Sequence, residues 1–214
     1  MSVHLQQRAV DELVHEGRYL YPTAVVRMIE RFHPHDGPGV SRSVISAYVG
    51  ETLRRLDQRA PFSPVQFERL LDERTTDADL WLPNSLYAVA PGRISTYPLR
   101  WHERLGAVSD PVAYASVIGE DLAAARGLDP AADLPSIPKS MLLDAMTVLG
   151  QLERPAASAL VTDARLAGRV RVDPFQNPDA DVTVVPAPAQ SRQSEGQTAA
   201  PGPVGPSVPG DRNL

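Results

Sequence analysis

The chain has 214 residues, a formal net charge of −5 and no cysteine, so disulfide bridges, thiolate catalysis and cysteine-based zinc sites are excluded. Its hydrophobic content of 43% can support an ordinary buried core, in one large domain or two small ones. No apolar run approaches the roughly 20 residues that cross a membrane, and the N-terminus lacks the apolar stretch of a signal peptide. We therefore expect a soluble, cytoplasmic protein that makes no membrane contact.

Helix-spaced apolar residues predict amphipathic helices over 3–16, 23–32 and 41–58. The loop between the second and third helices, residues 33–39, is rich in Pro and Gly and contains His33, His35 and Asp36. Three potential ligands within four residues suggest a metal site, but no fourth ligand is evident and a short peptide rarely forms a whole tetrahedral site. We predict a polar turn there, with no metal and no cofactor.

The helix at 41–58 begins with a sequence typical of a DNA recognition helix. Ser41 is a good N-cap, and short polar or Arg side chains follow it at Arg42, Ser43 and Ser46. Such side chains near the N-terminal end of a recognition helix reach bases and phosphates in the major groove. A plain packing helix with a good cap has the same pattern, so both interpretations remain open.

The middle of the chain predicts two helices around a hairpin, followed by a longer helix. Ser63 and Gln66 form a capping-box pattern at the start of a helix over 63–74. A hairpin is predicted at 86–97, because Pro91 and Gly92 suit a tight turn. A short helix over 97–106 and a longer one from Asp110 to about residue 126 complete this part.

A second candidate site lies on the short helix. Tyr97, Trp101 and Arg104 belong to residue types that anchor protein interfaces, so they are the candidate partner-binding residues. The alternative is a helix turn that buries Trp101 against the hairpin. The same helix begins like a zinc-protease HExxH motif at His102, but the second histidine is replaced by Gly106, so metal ligation fails.

Residues 127–137 have the Pro, Gly and Asp content of a linker, which divides the chain into domains at 1–126 and 138–186. The second segment predicts two helices and a hairpin whose outward residues include Arg169 and Arg171. Two helices and a hairpin with basic outward residues resemble a truncated winged helix. The tail, 187–214, is rich in Pro, Gly, Ser and Gln and is predicted to be disordered.

No motif of a known catalytic site is present. The sequence contains no glycine-rich phosphate loop, no GxSxG element and no pair of carboxylates in an apolar setting. It also contains no internal repeat that sequence comparison detects. These absences predict a protein that is not an enzyme.

The sequence therefore predicts a mainly α fold with two small β-hairpins, of the α+β class. The favoured function is regulatory DNA binding of the helix-turn-helix or winged-helix type, for example in transcription regulation by a homodimer on double-stranded DNA. Arg42, Ser43 and Ser46 would then meet the major groove, and Arg169 and Arg171 would meet phosphates or the minor groove. The alternative is a non-catalytic interaction or adaptor protein, which the mild acidity and the lack of a basic patch favour. The positions of the arginines discriminate between these functions: Arg42, Arg54, Arg169 and Arg171 on one face would favour DNA binding, whereas arginines that are dispersed or paired with acids would weaken that interpretation.

Overall fold

The computed structural model describes residues 3–34, 36–130, 134–174, 177 and 180–186. Its helices are α1 (Gln7–Glu16), α2 (Pro22–Phe32), α3 (Arg42–Leu56), α4 (Pro64–Arg74), α5 (Leu99–Leu105), α6 (Pro111–Ala125), α7 (Lys139–Leu149) and α8 (Arg154–Leu166). Its strands are β1 (Val40–Ser41), β2 (Thr75–Thr76), β3 (Leu86–Ala90), β4 (Arg93–Ser95), β5 (Ile137–Pro138), β6 (Val170–Asp173) and β7 (Asp181–Val184). The predicted fold class, mainly α with two hairpins, is confirmed. The predicted disordered tail lies outside the described residues.

The start and end signals in the sequence position these helices as expected. Ser63 and Gln66 form the predicted capping box at the start of α4. The Asp110 side chain accepts a hydrogen bond from the Val112 N–H at the start of α6. Gly168, just beyond α8, has a φ of +69°, the left-handed conformation that favours glycine after a helix.

The buried apolar side chains form two clusters along the chain. The first extends from Ala9 to Ile94 and combines α1 to α4 with the first sheet. The second extends from Tyr97 to Val182 and combines α5 to α8 with the second sheet. The domain division at 127–137 stays a prediction, but α5 and α6, which precede that segment, pack in the same cluster as α7 and α8.

Each cluster contains a unit with the same order of elements. The first unit runs α2–β1–α3–α4–β2–β3–β4 and the second runs α6–β5–α7–α8–β6–β7, so the orders agree apart from the additional two-residue strand β2. In both, a two-residue strand leads into the second helix and pairs antiparallel with the last strand of the unit. That last strand also pairs with the strand before it, so the sheet orders are β1-β4-β3-β2 and β5-β7-β6, with β2 added in parallel at the edge of the first sheet.

This is the connectivity of a winged helix: one helix, a strand, two helices and a two-stranded wing, with the first strand beside the last. The predicted unit at 138–186 is therefore completed by α6 and β5, and the first half of the chain contains a second copy of the topology. The register is equivalent too, because Val40 pairs with Ile94 and Ile137 pairs with Val182. The expectation of no internal repeat holds for the sequence but not for the topology.

The two units pack against each other through α2 and α7. Arg27 on α2 lies 3.0 Å from the Asp144 carboxylate on α7. Glu30 on α2 accepts hydrogen bonds from the backbone N–H and hydroxyl of Thr96, at 2.9 and 2.8 Å, where the chain passes between the units. Within the described part of the chain, none of the helices is long and apolar enough to cross a bilayer.

Candidate interaction surfaces

The N-terminal end of α3, which the sequence predicts to meet DNA, lies against α4. Arg42 Nη2 is 2.7 Å from Asp72 Oδ1, and its Nη1 is 3.9 Å from Glu68 Oε2. The Ser46 hydroxyl donates to the same Glu68 carboxylate, while Ser43 is exposed on the first turn. Two carboxylates thus neutralise the guanidinium that was expected to meet a phosphate.

In each unit the third helix, α4 or α8, follows the turn between helices, which is the position of a recognition helix. The helix α3 is instead the second helix of its unit. The sequence of α4 contains three acids and two arginines. Arg69 Nε lies 3.5 Å from Glu73 Oε1, and Arg74 donates to the backbone carbonyl of Asn84. The outer face of α4 is therefore slightly acidic, and its arginines are engaged within the unit.

The outer face of α8 is small and nearly uncharged. Its exposed residues are Pro155, Ala156, Ala159, Asp163 and Leu166. Arg154, the first residue of the helix, is paired with Asp144. Large aliphatic side chains project from both third helices, since Val65 on α4 is 79% exposed and Leu166 is 71% exposed.

The second hairpin, the expected wing, carries one paired and one exposed arginine. Arg169 forms a two-pronged contact with the Asp110 carboxylate, at 3.0 and 3.2 Å. Arg171 is exposed and makes no ion pair with the described part of the chain. Exposed Asp173 and Asp181 lie opposite each other in the β6–β7 register. This wing therefore presents carboxylates beside its single available arginine.

The C-terminal half of α3 also pairs its arginines with acids. Arg54 and Arg55 both contact the Glu51 carboxylate, at 2.8 and 2.7 Å, and Arg55 also lies 3.0 Å from Asp11 on α1. Hydrogen bonds from the two guanidinium groups lower the pKa of Glu51 to about 2. This cluster fastens α3 to α1, which is a structural role.

The structure assigns the predicted partner-binding aromatics to the core. Trp101 is fully buried and Tyr97 is 4% exposed, so neither ring offers area to a partner. The Trp101 indole N–H donates to the Asp121 carboxylate at 2.9 Å. Arg104 remains at the surface, where its guanidinium pairs with Glu120 and lowers the pKa of that carboxyl. The alternative expectation, a helix turn that buries Trp101, matches this arrangement.

Two buried carboxylates were missed by the sequence interpretation. Asp121 is 1% exposed and accepts hydrogen bonds from the Trp81 backbone N–H at 2.8 Å and from the Trp101 indole, beside the Arg100 guanidinium. Glu30 is 3% exposed and accepts hydrogen bonds from the backbone N–H and the hydroxyl of Thr96. A sequence signal exists for Asp121, since it stands in an otherwise strongly apolar helix, where a carboxylate must have buried donors.

Two of the chain's five histidines, His33 and His102, form hydrogen bonds with side-chain hydroxyls. His33 Nδ1 lies 3.1 Å from the Tyr48 hydroxyl, and His102 Nε2 lies 2.8 Å from Ser95 Oγ. His35 lies outside the described residues. Within the described ranges, no three His, Asp or Glu side chains converge in the manner of a metal site.

Together these features define a chain of two units with winged-helix topology and surfaces of paired charge. Comparison of the chain with protein-family models, with curated proteins and with solved structures found no match. The function must therefore be inferred from the surfaces themselves.

Proposed function

We propose that the protein is a non-catalytic interaction protein, whose two units bind an apolar surface of a protein partner. The observation that carries this proposal is that two arginines on which the DNA-binding interpretation depends are paired with carboxylates. Arg42 faces Asp72 and Glu68, and Arg169 faces Asp110. Protein–DNA affinity depends mainly on Lys and Arg at phosphates, and an arginine held by a carboxylate of its own unit contributes little to it.

The outer faces of the third helices suit a protein partner better than a phosphate backbone. Val65 and Leu166 are the most exposed of the large hydrophobic side chains in the described structure, and each stands on the third helix of its unit. Exposed aliphatic residues beside small and neutral ones bury apolar area when a complementary surface covers them. We assign these two positions as contact points for the partner.

Site-specific crosslinking tests this assignment. A photoreactive amino acid at position 65 or 166 should form a discrete protein adduct in extract of the native host. The same group at position 128, where Leu128 is 50% exposed but lies beyond α6, serves as the control. Once the partner is isolated, Leu166→Asp should weaken its binding at least about tenfold, while Leu128→Asp should not. Equal labelling from all three positions would contradict the proposal.

DNA binding is the second candidate, because the winged-helix topology occurs twice and Arg171 is exposed on the second wing. In this alternative, a regulatory homodimer contacts paired half-sites. Fluorescence anisotropy with a mixed-sequence duplex separates the two functions, since even non-specific DNA binding appears at low salt. Our proposal expects no binding there. Micromolar binding that weakens steeply with salt, and that Arg169→Ala with Arg171→Ala reduces for every sequence, would establish the DNA function instead.

A further inference from the structure

A cleft with a volume of about 320 Å³ lies between the two units. Its walls come from α2, from the loop before β3, from the junction between the units and from α7. The residues that matter for its chemistry are Arg27, Trp81, Tyr97, Met141 and Asp144. Small-molecule sites are commonly of about this size and occur preferentially between domains.

The Tyr97 hydroxyl is an unused donor at this cleft. The residue is 4% exposed, and its backbone N–H bonds to Ser95 Oγ, but its hydroxyl has no hydrogen-bond partner among the described residues. Burial raises the pKa of this phenol well above its ordinary value, so the hydroxyl keeps its proton. Because Tyr97 lines the cleft, this hydroxyl can donate a hydrogen bond to an acceptor bound there.

One arginine, Arg27, and one aspartate, Asp144, line the cleft. Asp144 accepts from both Arg27 and Arg154, so one carboxylate serves two guanidinium groups. Arg27 is half-exposed at the cleft and donates to Asp144 through Nη1, which leaves its other N–H groups available. These free N–H groups of the guanidinium can bind a carboxylate in the cleft.

One wall of the cleft is aromatic. The Tyr97 and Trp101 rings stack with centroids 5.3 Å apart, and Trp81 stacks on Trp101 at 6.3 Å. The half-buried Trp81 and Met141 line the cleft and present apolar area to an occupant. A flat, apolar ligand body fits such a wall, because offset-stacked rings attract one another.

We propose that this cleft binds a small aromatic carboxylate, with the carboxylate accepting hydrogen bonds from Arg27 and the Tyr97 hydroxyl and the ring lying along Trp81. Such a ligand bridges the first and second units, so it stabilises their packing as well as occupying the cleft. This inference does not depend on the proposed function, since neither the third helices nor the wings contribute to the cleft.

Benzoate is the probe, and benzamide is its uncharged control. Isothermal titration calorimetry of the full chain should give saturable benzoate binding, with clearly weaker binding of benzamide. Intrinsic fluorescence gives an independent readout, because Trp81 lines the cleft and stacks on Trp101, the other of the chain's two tryptophans. Absence of saturable benzoate binding up to about 10 mM, a concentration that detects even weak sites, would overturn the proposal.

Three variants locate the binding. Tyr97→Phe keeps the ring and should weaken benzoate binding about fivefold, the effect of one lost hydrogen bond, with an unchanged melting temperature. Asp144→Asn removes a competing carboxylate and should tighten binding, an effect that loss of structure does not produce. Tyr21→Phe alters an exposed tyrosine that does not line the cleft and should change nothing. Unchanged affinity in both Tyr97→Phe and Asp144→Asn would place benzoate elsewhere and refute the site.

Discussion

Arg42 and Lys139 occupy the same position in the two units. Each is the first residue of the second helix of its unit, and each donates its backbone N–H to its own wing. Arg42 bonds to the Gly92 carbonyl at 2.9 Å, and Lys139 bonds to the Ala180 carbonyl at 2.8 Å. In both units, therefore, a backbone hydrogen bond joins the wing to the first residue of the second helix. Because backbone atoms form this bond, the sequence gives little indication of it.

The two-residue strand before each of these residues should be important for stability. Ile137 in β5 is 1% exposed and pairs with Val182. Ile137→Ala should lower the free energy of unfolding by about 3 kcal/mol, because it removes buried methyl groups and leaves a cavity. Ile137→Val should cost about 1 kcal/mol. Urea denaturation checks both values, provided that the slope of the free energy of unfolding against urea concentration is unchanged. A smaller loss of stability for Ile137→Ala than for Ile137→Val would show that β5 does not anchor the sheet.

The helices could be predicted from the sequence because periodicity and caps mark them. The capping box at Ser63 and the N-cap at Asp110 fix where α4 and α6 begin, and the structure confirms both. The strands β1, β2 and β5 could not be predicted, because two residues are too short to alternate. Pro138 further disguises β5, since proline is unfavourable in most strands.

The repeat and the sites escaped prediction for different reasons. The sequences of the two units resemble each other mainly where the second helix begins, at Val40 to Ser43 and Ile137 to Ser140. The same topology requires apolar side chains at the buried positions but not identical residues there. Arg42 had the right residue type for a phosphate contact, but its acidic neighbours on α4 are distant in sequence. The cleft joins Arg27, Tyr97 and Asp144 from three separate segments, so no local pattern marks it.

Asp121 and Glu120 are neighbours in sequence that should respond very differently to substitution. Asp121 is buried between two tryptophans and Arg100, whereas Glu120 pairs with Arg104 at the surface. Asp121→Ala should lower stability by about 3–5 kcal/mol, because it leaves the partly buried Arg100 guanidinium and two N–H groups without their acceptor. Glu120→Gln should cost less than about 1 kcal/mol.

Urea denaturation measures both variants, and tryptophan fluorescence reports on the environment that Asp121 organises. The near-ultraviolet circular dichroism of Asp121→Ala should also weaken, because both tryptophans donate to this carboxylate, Trp81 through its backbone N–H and Trp101 through its indole N–H. A similar cost for the two substitutions would mean that Asp121 is not the centre of the buried network.

The Glu51 cluster should make stability depend on pH in the acid range. Hydrogen bonds from Arg54 and Arg55 lower the pKa of Glu51 from 4.5 to about 2 in the folded chain. A carboxyl whose pKa is lower in the folded state stabilises the fold above its ordinary pKa, and that contribution disappears as the pH falls toward the folded value. Glu51→Gln should therefore destabilise the protein at neutral pH, and its difference from wild type should shrink between about pH 4.5 and pH 2.

Urea midpoints at neutral pH, at pH 4.5 and near pH 2 measure this difference. The reciprocal control introduces Glu51→Gln into a chain that already carries Arg54→Gln and Arg55→Gln. Its effect should be much smaller there, because a double-mutant cycle isolates the interaction between the groups. High salt should also reduce the effect, since the cluster lies at the surface and its charges are screened. A difference between Glu51→Gln and wild type that stays constant from neutral to acid pH would show that these ion pairs do not stabilise the fold.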